Sequence, residues 1–540
     1  MIATAIAAAV FLLYLGTYAS IPTADGHWYL TNVERQDYRN ILNTTSSLTQ
    51  YLVFAIKALS TGVGLSVPTL RVIQTMNAVV AGIGAALVYE TLRLLGAGAA
   101  LALVAAALLG TSFGYWYFAN GELQHVSLVL LLTIFYLVVR RRARNEACRW
   151  PFVMALGLIN AVAVMFRQEN FLFGFAAIAL LSVGRPWRDL SRTALLYATG
   201  GAVGTAVLVL FMGHFVLGAL SVADVLGWYV GLGQHATQRQ DFQGFEAART
   251  FDLPRLLKGQ LTAFVVGTQT WADALLGRVP WSHRKVIALL ALTGVVYVLM
   301  AWQAVNLWRR RRFVVDDRLA VAIACVVWLV TYKVVVHGWF WPTVTKYQVV
   351  TLPALIVLLV LAEIGRSRYR AVVALLLLIF AINAWGGILP WYRYGRMKDE
   401  LAVRQARDFG SGDLFISCES GLDSIFQRGP NHLEVKNVFL RLPAKDAFGA
   451  IQKAIAQQVE RNGRVYLYNF VPSAFTMIGI NQSPSRGAER LEAADFERFF
   501  DGLQKVYALR PVFAYWEETK APLYLFGERL EPFWELRARQ

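Results

Sequence analysis

Two carboxylates stand at the rims of long apolar runs, where an ionisable side chain is costly to keep. Asp25 follows the first apolar run in PTADGHWY, and Glu122 precedes a later one in YWYFANGELQH. Acidic side chains in such places are candidates for proton transfer or substrate binding unless they are solvated or paired. The alternative is that each carboxylate caps a helix. His27 and His125 lie beside them in the sequence and are candidates for orienting a substrate.

Basic side chains near the ends of other apolar runs form a second set of candidates, because fixed positive charge at a membrane surface stabilises an anionic group. Arg167 lies between two short runs, while His337, Lys346 and the adjacent Tyr347 lie near the end of another. The long polar segment 221–284 adds Arg239, Arg255 and Lys258. The alternatives are an ion pair between Arg167 and Glu169 for the arginine, and interfacial positions for the others.

The elements that position these residues are apolar runs close to the length of about 20 residues that one bilayer crossing needs. Together they predict an α-helical polytopic membrane protein with about eleven transmembrane helices. The predicted spans are 2–20, 69–90, 97–113, 123–140, 152–167, 170–183, 193–217, 286–307, 319–337, 347–364 and 370–390.

Arginine clusters beside these runs predict which loops face the cytoplasm. The clusters at 140–144, 185–192, 309–312 and 366–370 all fall on one side when eleven spans are counted. An odd number of spans places the amino end inside and the carboxyl end outside. Counting the ambiguous segment 258–277 as a span would move the third cluster outside, so we interpret it as an external amphipathic or re-entrant segment.

The composition divides the chain into a membrane domain, 1–390, and an external soluble domain, 391–540. The membrane domain contains two long external loops, 21–68 and 221–284. In the soluble domain, residues 445–461 read as a helix that crosses between strands. This order predicts a small α/β domain with a partly parallel sheet. The predicted strands are GDLFISC, KNVFLRL and GRVYLYNF, with a hairpin or edge strands in KVYALRPVFAYW and APLYLFG.

The overall composition excludes several classes of protein. Of the 540 residues, 56% are hydrophobic and only 16% are charged, which is too apolar for a soluble core. The net charge of +17 comes largely from arginine in short loops, so it does not indicate nucleic-acid binding. The cysteines Cys148, Cys325 and Cys418 are too scattered for a disulfide framework or a metal site.

The candidate residues also follow an order that resembles the GT-C superfamily of glycosyltransferases. These membrane enzymes use polyprenyl-phosphate sugars and include protein O-mannosyltransferases and the lipid A aminoarabinose transferase. They have an aspartate in the first external loop, a second acidic residue after an aromatic pair, and a later span that opens near a basic residue, a tyrosine and a proline. In this chain those places are filled by Asp25, by Tyr115 and Trp116 with Glu122, and by Lys346, Tyr347 and Pro353.

The resemblance implies transfer of a sugar from a polyprenyl-phosphate donor to a glycan, lipid or protein acceptor outside the cytoplasmic membrane of a bacterium. Asp25 would accept the proton of the acceptor hydroxyl, while Glu122 and His125 would orient the acceptor or the sugar. Arg167, His337 and Lys346 would stabilise the leaving phosphate. A single displacement with a phosphate leaving group predicts inversion at the anomeric carbon.

The chain departs from the family pattern after the first-loop aspartate. Many members have an acidic residue there, whereas this chain has Gly26, with Glu34 and Asp37 further on. A carboxylate-bound divalent metal is therefore left open but is not supported by the sequence. No other cofactor is predicted.

Two other functions remain open at this stage. An O-antigen ligase or polymerase also works outside with lipid-linked donors, but it relies on arginine and histidine in a late loop, so it would survive loss of Asp25. A lipid-linked glycan transporter or flippase is the second alternative. The odd number of spans and the absence of evident inverted repeats are unfavourable to it.

Overall fold

The structure is a computed structural model. It describes residues 1–19, 26–34, 47–121, 124–146, 149–184, 186–216, 221–225, 227, 253–275, 284–309, 317–337, 345–361, 363–364, 370–392, 412–417, 431–435, 438, 442, 444–468, 493–511, 524–525, 528–529 and 534–538. These residues divide into two compact units, the first ending at Tyr392 and the second containing the described residues from Gly412 onward.

The first unit is helical throughout its described part. Its helices are α1 (Ile2–Thr17), α2 (Gly26–Glu34), α3 (Ser47–Gly62), α4 (Thr69–Leu94), α5 (Ala99–Thr111), α6 (Phe113–Phe118), α7 (Gln124–Ala143), α8 (Trp150–Phe166), α9 (Phe173–Ser182), α10 (Trp187–Phe211), α11 (Leu253–Phe264), α12 (Gly267–Leu275), α13 (Arg284–Arg309), α14 (Asp317–Thr331), α15 (Thr345–Gln348), α16 (Leu352–Leu361) and α17 (Arg370–Asn383). Short 3-10 turns at Gln168–Leu172 and Val349–Thr351 join neighbouring helices, and π-helical turns extend three helices at Met212–Val216, Tyr332–His337 and Ala384–Ile388.

Helical structure lies within every one of the eleven predicted apolar runs. Among the residues that the structure describes, four helices are long and apolar enough to cross a membrane, which indicates membrane association. Their bounds are Thr69–Leu94, Arg188–His214, Arg284–Trp302 and Arg370–Tyr392. The ambiguous segment 258–277 falls on two helices, α11 and α12. With 12 and 9 residues, each is shorter than the roughly 20 residues that a crossing needs.

The surface of the long helices is apolar where it faces away from the rest of the unit. Val207 and Phe211 of α10, and Val298 and Trp302 of α13, are all exposed. Clustered apolar side chains of this kind are unfavourable in water and favourable in hydrocarbon. These faces therefore fit a lipid environment.

Small residues let helices α8 and α10 approach each other closely. A Cβ atom at Gly157 would collide with the carbonyl oxygen of Tyr197, and one at Gly200 would collide with that of Met154. Close backbone approach through glycine is a common way for helices to pack in a membrane. Larger residues at either position would separate the two helices.

The second unit contains a five-stranded sheet in the order β2-β1-β3-β7-β4. Its elements are β1 (Leu414–Ser417), β2 (Asn431–Glu434), α18 (Ala444–Glu460), β3 (Val465–Tyr468), α19 (Ala493–Val506), β4 (Tyr507–Pro511), a separate hairpin of β5 (Tyr524–Leu525) and β6 (Glu528–Arg529), and β7 (Trp534–Ala538). Strand β1 pairs in parallel with β2 and β3, whereas β7 is antiparallel to β3 and β4.

Helices α18 and α19 of the second unit pack on one face of this sheet. Ile451 and Ile455 of α18 and Leu503 of α19 share a buried core with Ile416 and Leu467 of the strands. Alternate strand residues reach this core because side chains alternate between the two faces of a strand.

One predicted strand in the second unit is wrong. KNVFLRL was predicted as a strand, but the strand that pairs with β1 is Asn431–Glu434, and the described residue Val438 is helical. The Leu442 amide donates to the Val438 carbonyl at 3.0 Å, which is a helical hydrogen bond. Val435, Val438 and Leu442 all reach the core cluster. Their spacing of three and four residues is that of a helix face, which explains the apolar pattern.

Candidate functional site

A buried polar network joins the end of α1 to the turn after α6. The Gln74 side-chain amide donates to the Ala19 carbonyl and to Asn120 Oδ1, each at 2.8 Å. Asn120 Oδ1 also accepts from the Ala19 amide at 3.0 Å, and Arg71 donates to Gln74 Oε1 at 2.8 Å. The Tyr18 hydroxyl donates to the Gln74 carbonyl. We call Tyr18, Ala19, Arg71, Gln74 and Asn120 the Gln74 network.

This network fixes the segments that lead into both predicted acidic residues. Asp25 comes six residues after Ala19 in the sequence, and Glu122 comes two residues after Asn120. Asp25 and Glu122 themselves lie outside the described residues. The described geometry therefore brings their flanking segments together but does not test the roles predicted for the carboxylates.

The aromatic pair that precedes Glu122 is packed inside the helical unit. The Tyr115 hydroxyl donates to the Ala81 carbonyl at 3.0 Å, and Trp116 Nε1 donates to Thr17 Oγ1 at 2.8 Å. Trp116 also stacks on Tyr14, with ring centroids 6.3 Å apart. The pair thus anchors α6 to α1 and α4, and it holds the turn before Glu122 in place.

His125 is also buried, in the first turn of α7. Its Nε2 atom lies 2.7 Å from the Tyr115 carbonyl oxygen, and the two rings are 4.7 Å apart. Among the described residues, none is a hydrogen-bond partner of the Nδ1 atom. In this position His125 supports the same turn as Tyr115, and its predicted contact with a substrate stays a prediction.

A second polar cluster surrounds Arg167, at the break between α8 and the following 3-10 turn. Arg167 is in an extended conformation at the end of α8, and its guanidinium donates to Glu169 Oε1 at 2.6 Å. The guanidinium carbon also lies 5.2 Å from the centre of the Tyr347 ring. Asn170 donates to the Ala163 carbonyl at 2.9 Å and accepts from the Tyr332 hydroxyl at 3.0 Å. We call Arg167, Glu169, Asn170, Tyr332 and Tyr347 the Arg167 cluster.

Two residues predicted for the site, Arg167 and Tyr347, therefore meet although they come from distant parts of the sequence. The ion pair with Glu169, which was the alternative interpretation of Arg167, is also present. The pair is largely buried, with 13% and 16% of the two side chains exposed. A buried ion pair costs several kcal/mol in lost hydration for each ion and needs further contacts to compensate. The Tyr347 ring is one such contact.

A row of polar side chains continues from this cluster through α15 to α11. Lys333, in the π-helical turn after α14, donates to Gln348 Oε1. The Thr351 hydroxyl lies 3.0 Å from the Gln348 carbonyl oxygen and 2.8 Å from Gln260 Oε1. Gln260 belongs to α11, and its Nε2 atom has no hydrogen-bond partner in the part of the chain that the structure describes. The sequence did not predict this row of polar contacts, because each of its residues lies within or beside an apolar run.

The other predicted binding residues are placed less completely. Lys258 lies on α11, partly buried. His27, Arg255, His337 and Lys346 belong to helical segments, but the structure does not describe their side chains. Arg239 lies outside the described residues. The predictions for these residues stay open.

Asn383 is a buried polar residue that sequence reasoning also missed. Its side-chain amide donates to the carbonyls of Thr111 and Phe264 at 2.8 and 2.9 Å, and its Oδ1 accepts from the Val266 amide at 2.9 Å. Asn383 therefore links the break between α11 and α12 to the end of α5 through hydrogen bonds. The sequence feature that could have identified it is an asparagine inside an apolar run, where a polar side chain is costly without partners.

The opposite ends of the helices gather arginines of a different kind. Arg142 Nε donates to Asp317 Oδ1 at 3.0 Å, and its NH1 atom donates to the carbonyls of Leu180 and Val183 at 3.0 Å. Arg318 donates to the Leu95 carbonyl at 3.1 Å. These contacts join helix ends that the eleven-span prediction assigns to one side.

Among the residues that the structure describes, no group of three or more His, Cys, Asp or Glu side chains is placed to hold a metal ion. The Arg167 cluster instead contains one guanidinium paired with one carboxylate, together with the Asn170 amide and two tyrosine hydroxyls. Comparisons with protein-family models and with curated proteins gave no match.

Proposed function

We propose that this protein is a membrane glycosyltransferase that transfers a sugar from a polyprenyl-phosphate donor to an acceptor on the external face of a bacterial cytoplasmic membrane. The observation that carries the proposal is the contact between Arg167 and Tyr347, with Glu169 and Lys333 close by in the same part of the fold. The Arg167 guanidinium is largely buried at a helix end, and a planar guanidinium suits bidentate binding of a lipid phosphate.

The proposed topology has eleven spans, a cytoplasmic amino end, and an external α/β domain formed by residues 391–540. It is supported by the separation of polar clusters in the first unit. The Gln74 network and the Arg167 cluster use the helix ends assigned to the outside, whereas Arg142 and Arg318 use those assigned to the inside. A bound lipid donor would then present its phosphate to Arg167, with Lys346 as a further predicted contact.

In the proposed mechanism, Asp25 accepts the proton of the acceptor hydroxyl as that oxygen attacks the anomeric carbon. The bond to the lipid phosphate breaks in the same displacement, and the configuration at the anomeric carbon inverts. The negative charge that gathers on the leaving phosphate is stabilised by Arg167 and Lys346. Glu122 and the segment held by Asn120 orient the acceptor or the sugar.

The test is sugar transfer from a purified lipid-linked donor by the Asp25→Asn protein. An amide keeps the size of the side chain but cannot take the proton, so we expect the rate to fall on the order of a hundredfold or more. Donor binding and thermal stability should stay close to those of the unmodified protein. Glu122→Gln should have a milder effect if Glu122 only orients a substrate.

Asp189→Asn is the matched control, because Asp189 is exposed in the first turn of α10 on the predicted cytoplasmic side. It should leave the transfer rate unchanged. Near-normal transfer by a folded Asp25→Asn protein would reject the mechanism and favour an enzyme of the ligase type.

A further inference from the structure

The break at the end of α8 is held in shape by Asn170. Arg167 has the extended backbone that ends the helix, and its amide donates to the Ala163 carbonyl at 3.0 Å. The Asn170 side-chain amide donates to the same carbonyl at 2.9 Å, and the Asn170 backbone amide donates to the Arg167 carbonyl at 3.0 Å. Asn170 thus ties the 3-10 turn Gln168–Leu172 to the last turn of α8.

Asn170 is held in turn by Tyr332, a residue that lies 162 positions further along the chain. Tyr332 begins the π-helical turn Tyr332–His337, and its hydroxyl donates to Asn170 Oδ1 at 3.0 Å. Both residues are buried, with 1% of Asn170 and 0% of Tyr332 exposed. Because a buried polar group is costly without a partner, this hydrogen bond strongly favours one orientation of the two side chains.

The hydrogen bond between Tyr332 and Asn170 joins the two segments that form the Arg167 cluster. Arg167 lies three residues before Asn170, while Tyr347 belongs to α15, the described helix that follows the Tyr332 turn in the chain. The Arg167 guanidinium carbon lies 5.2 Å from the centre of the Tyr347 ring. The segment that contains Tyr332 and Tyr347 therefore contacts the break at two points, through the Asn170 amide and through the Arg167 side chain.

We propose that Tyr332 and Asn170 are positioning residues for binding of the lipid phosphate, because their hydrogen bond sets the direction in which Arg167 presents its guanidinium. A guanidinium binds phosphate through a rigid fork of N–H donors, so a change in its direction weakens binding. Neither Tyr332 nor Asn170 touches the phosphate in this arrangement. The inference rests on the proposed function and adds to it the pair of residues that holds the arginine.

The experiment measures the affinity of the full chain, in lipid nanodiscs, for a fluorescent polyprenyl phosphate and for the corresponding polyprenol. Tyr332→Phe removes only the hydroxyl, so it should weaken phosphate binding roughly three- to tenfold, the factor that corresponds to one neutral hydrogen bond. Asn170→Ala removes two side-chain hydrogen bonds and should weaken phosphate binding further. Binding of the polyprenol, which lacks the phosphate, should not change in either variant.

A double-mutant cycle separates positioning from a general structural role. Once Arg167→Ala has removed the guanidinium, its direction no longer matters, so adding Tyr332→Phe should not weaken phosphate binding any further. A change that only loosened the helices would weaken binding by the same factor with or without Arg167.

Tyr297→Phe is the matched control, because the Tyr297 hydroxyl of α13 also donates to a neutral oxygen of another helix, Thr268 Oγ1, at 2.7 Å. It should leave both affinities unchanged. If Tyr332→Phe does not fold, Asn170→Ala decides the question in the same cycle.

The outcomes separate the inference from the proposed function. No binding of polyprenyl phosphate by the unmodified protein, or binding that Arg167→Ala leaves unchanged, would reject the phosphate site and the inference with it. Binding that falls with Arg167→Ala but with neither Tyr332→Phe nor Asn170→Ala would reject the inference alone. An equal loss of polyprenol affinity, an equal effect of Tyr297→Phe, or an undiminished effect of Tyr332→Phe in the Arg167→Ala protein would also overturn the inference.

Discussion

Arg142 and Arg167 lie at opposite ends of the helices and are held in different ways. Arg142 donates to two backbone carbonyls near the end of α9 and to Asp317, whose side chain is 38% exposed. Arg167 instead contacts a largely buried carboxylate and an aromatic ring. The first arrangement satisfies a helix end, as a basic residue commonly does. The second is a largely buried ion pair, and it lies at the end of the helices where we propose that the lipid phosphate binds.

The largest effect expected from this comparison is on stability. Glu169→Ala removes the carboxylate beside a buried guanidinium and should lower the free energy of unfolding by about 3 kcal/mol. This value is at the low end for breaking a buried ion pair, because the Tyr347 ring still contacts the guanidinium. Asp317→Ala, the matched change at the other end, should cost about 0–1 kcal/mol because its carboxylate is partly solvated. Unfolding measured in lipid nanodiscs or mixed micelles gives both values. Equal losses would remove the distinction between the two ends.

The next effect concerns ligand affinity. Arg167→Ala should weaken binding of a polyprenyl-phosphate donor by about tenfold or more, because a charge-assisted hydrogen bond to the phosphate is lost. Lys346→Ala is expected to act in the same direction. Arg142→Ala should leave donor affinity unchanged even where it lowers stability. Titration with a fluorescent donor measures these affinities, and a loss with Arg142→Ala as large as that with Arg167→Ala would contradict the assignment.

The smallest effect is expected at the aromatic ring beside Arg167. Tyr347→Leu removes the cation–π contact, which contributes about 0.5–1 kcal/mol at partly exposed sites, so donor affinity should fall roughly two- to fivefold. Tyr347→Phe keeps the ring and should stay within a factor of about two of the unmodified protein. The same titration applies. If the phenylalanine variant loses as much affinity as the leucine variant, the ring does not orient Arg167.

The contrast between the two ends also shows what the sequence could and could not predict. The length and apolar character of each run predicted where helices form, as in α4 and α13. These properties depend on residues close together in the sequence, since a helix satisfies its backbone hydrogen bonds within the run. The predicted topology placed Arg167 and Tyr347 on the same side of the membrane, but their contact depends on how distant helices pack, which the sequence does not show.

The contacts made by polar residues inside apolar runs were the feature that the sequence predicted least well. Gln74, Lys333 and Asn383 are each outnumbered by apolar neighbours, so an average over the run hides them. Their roles depend on partners from other helices, such as Asn120 for Gln74 and Gln348 for Lys333. In the second unit, the interior strand β7, which lies between β3 and β4, was also missed, because it is only five residues long.

In the proposed function, a lipid phosphate binds at the end of the helical unit that carries Arg167. An electron cryomicroscopy map of the protein in nanodiscs with a polyprenyl phosphate tests it most directly. We predict phosphate density within hydrogen-bond distance, about 3 Å, of the Arg167 guanidinium. Phosphate density beside Arg142 and Asp317, with none at the Arg167 cluster, would contradict the account.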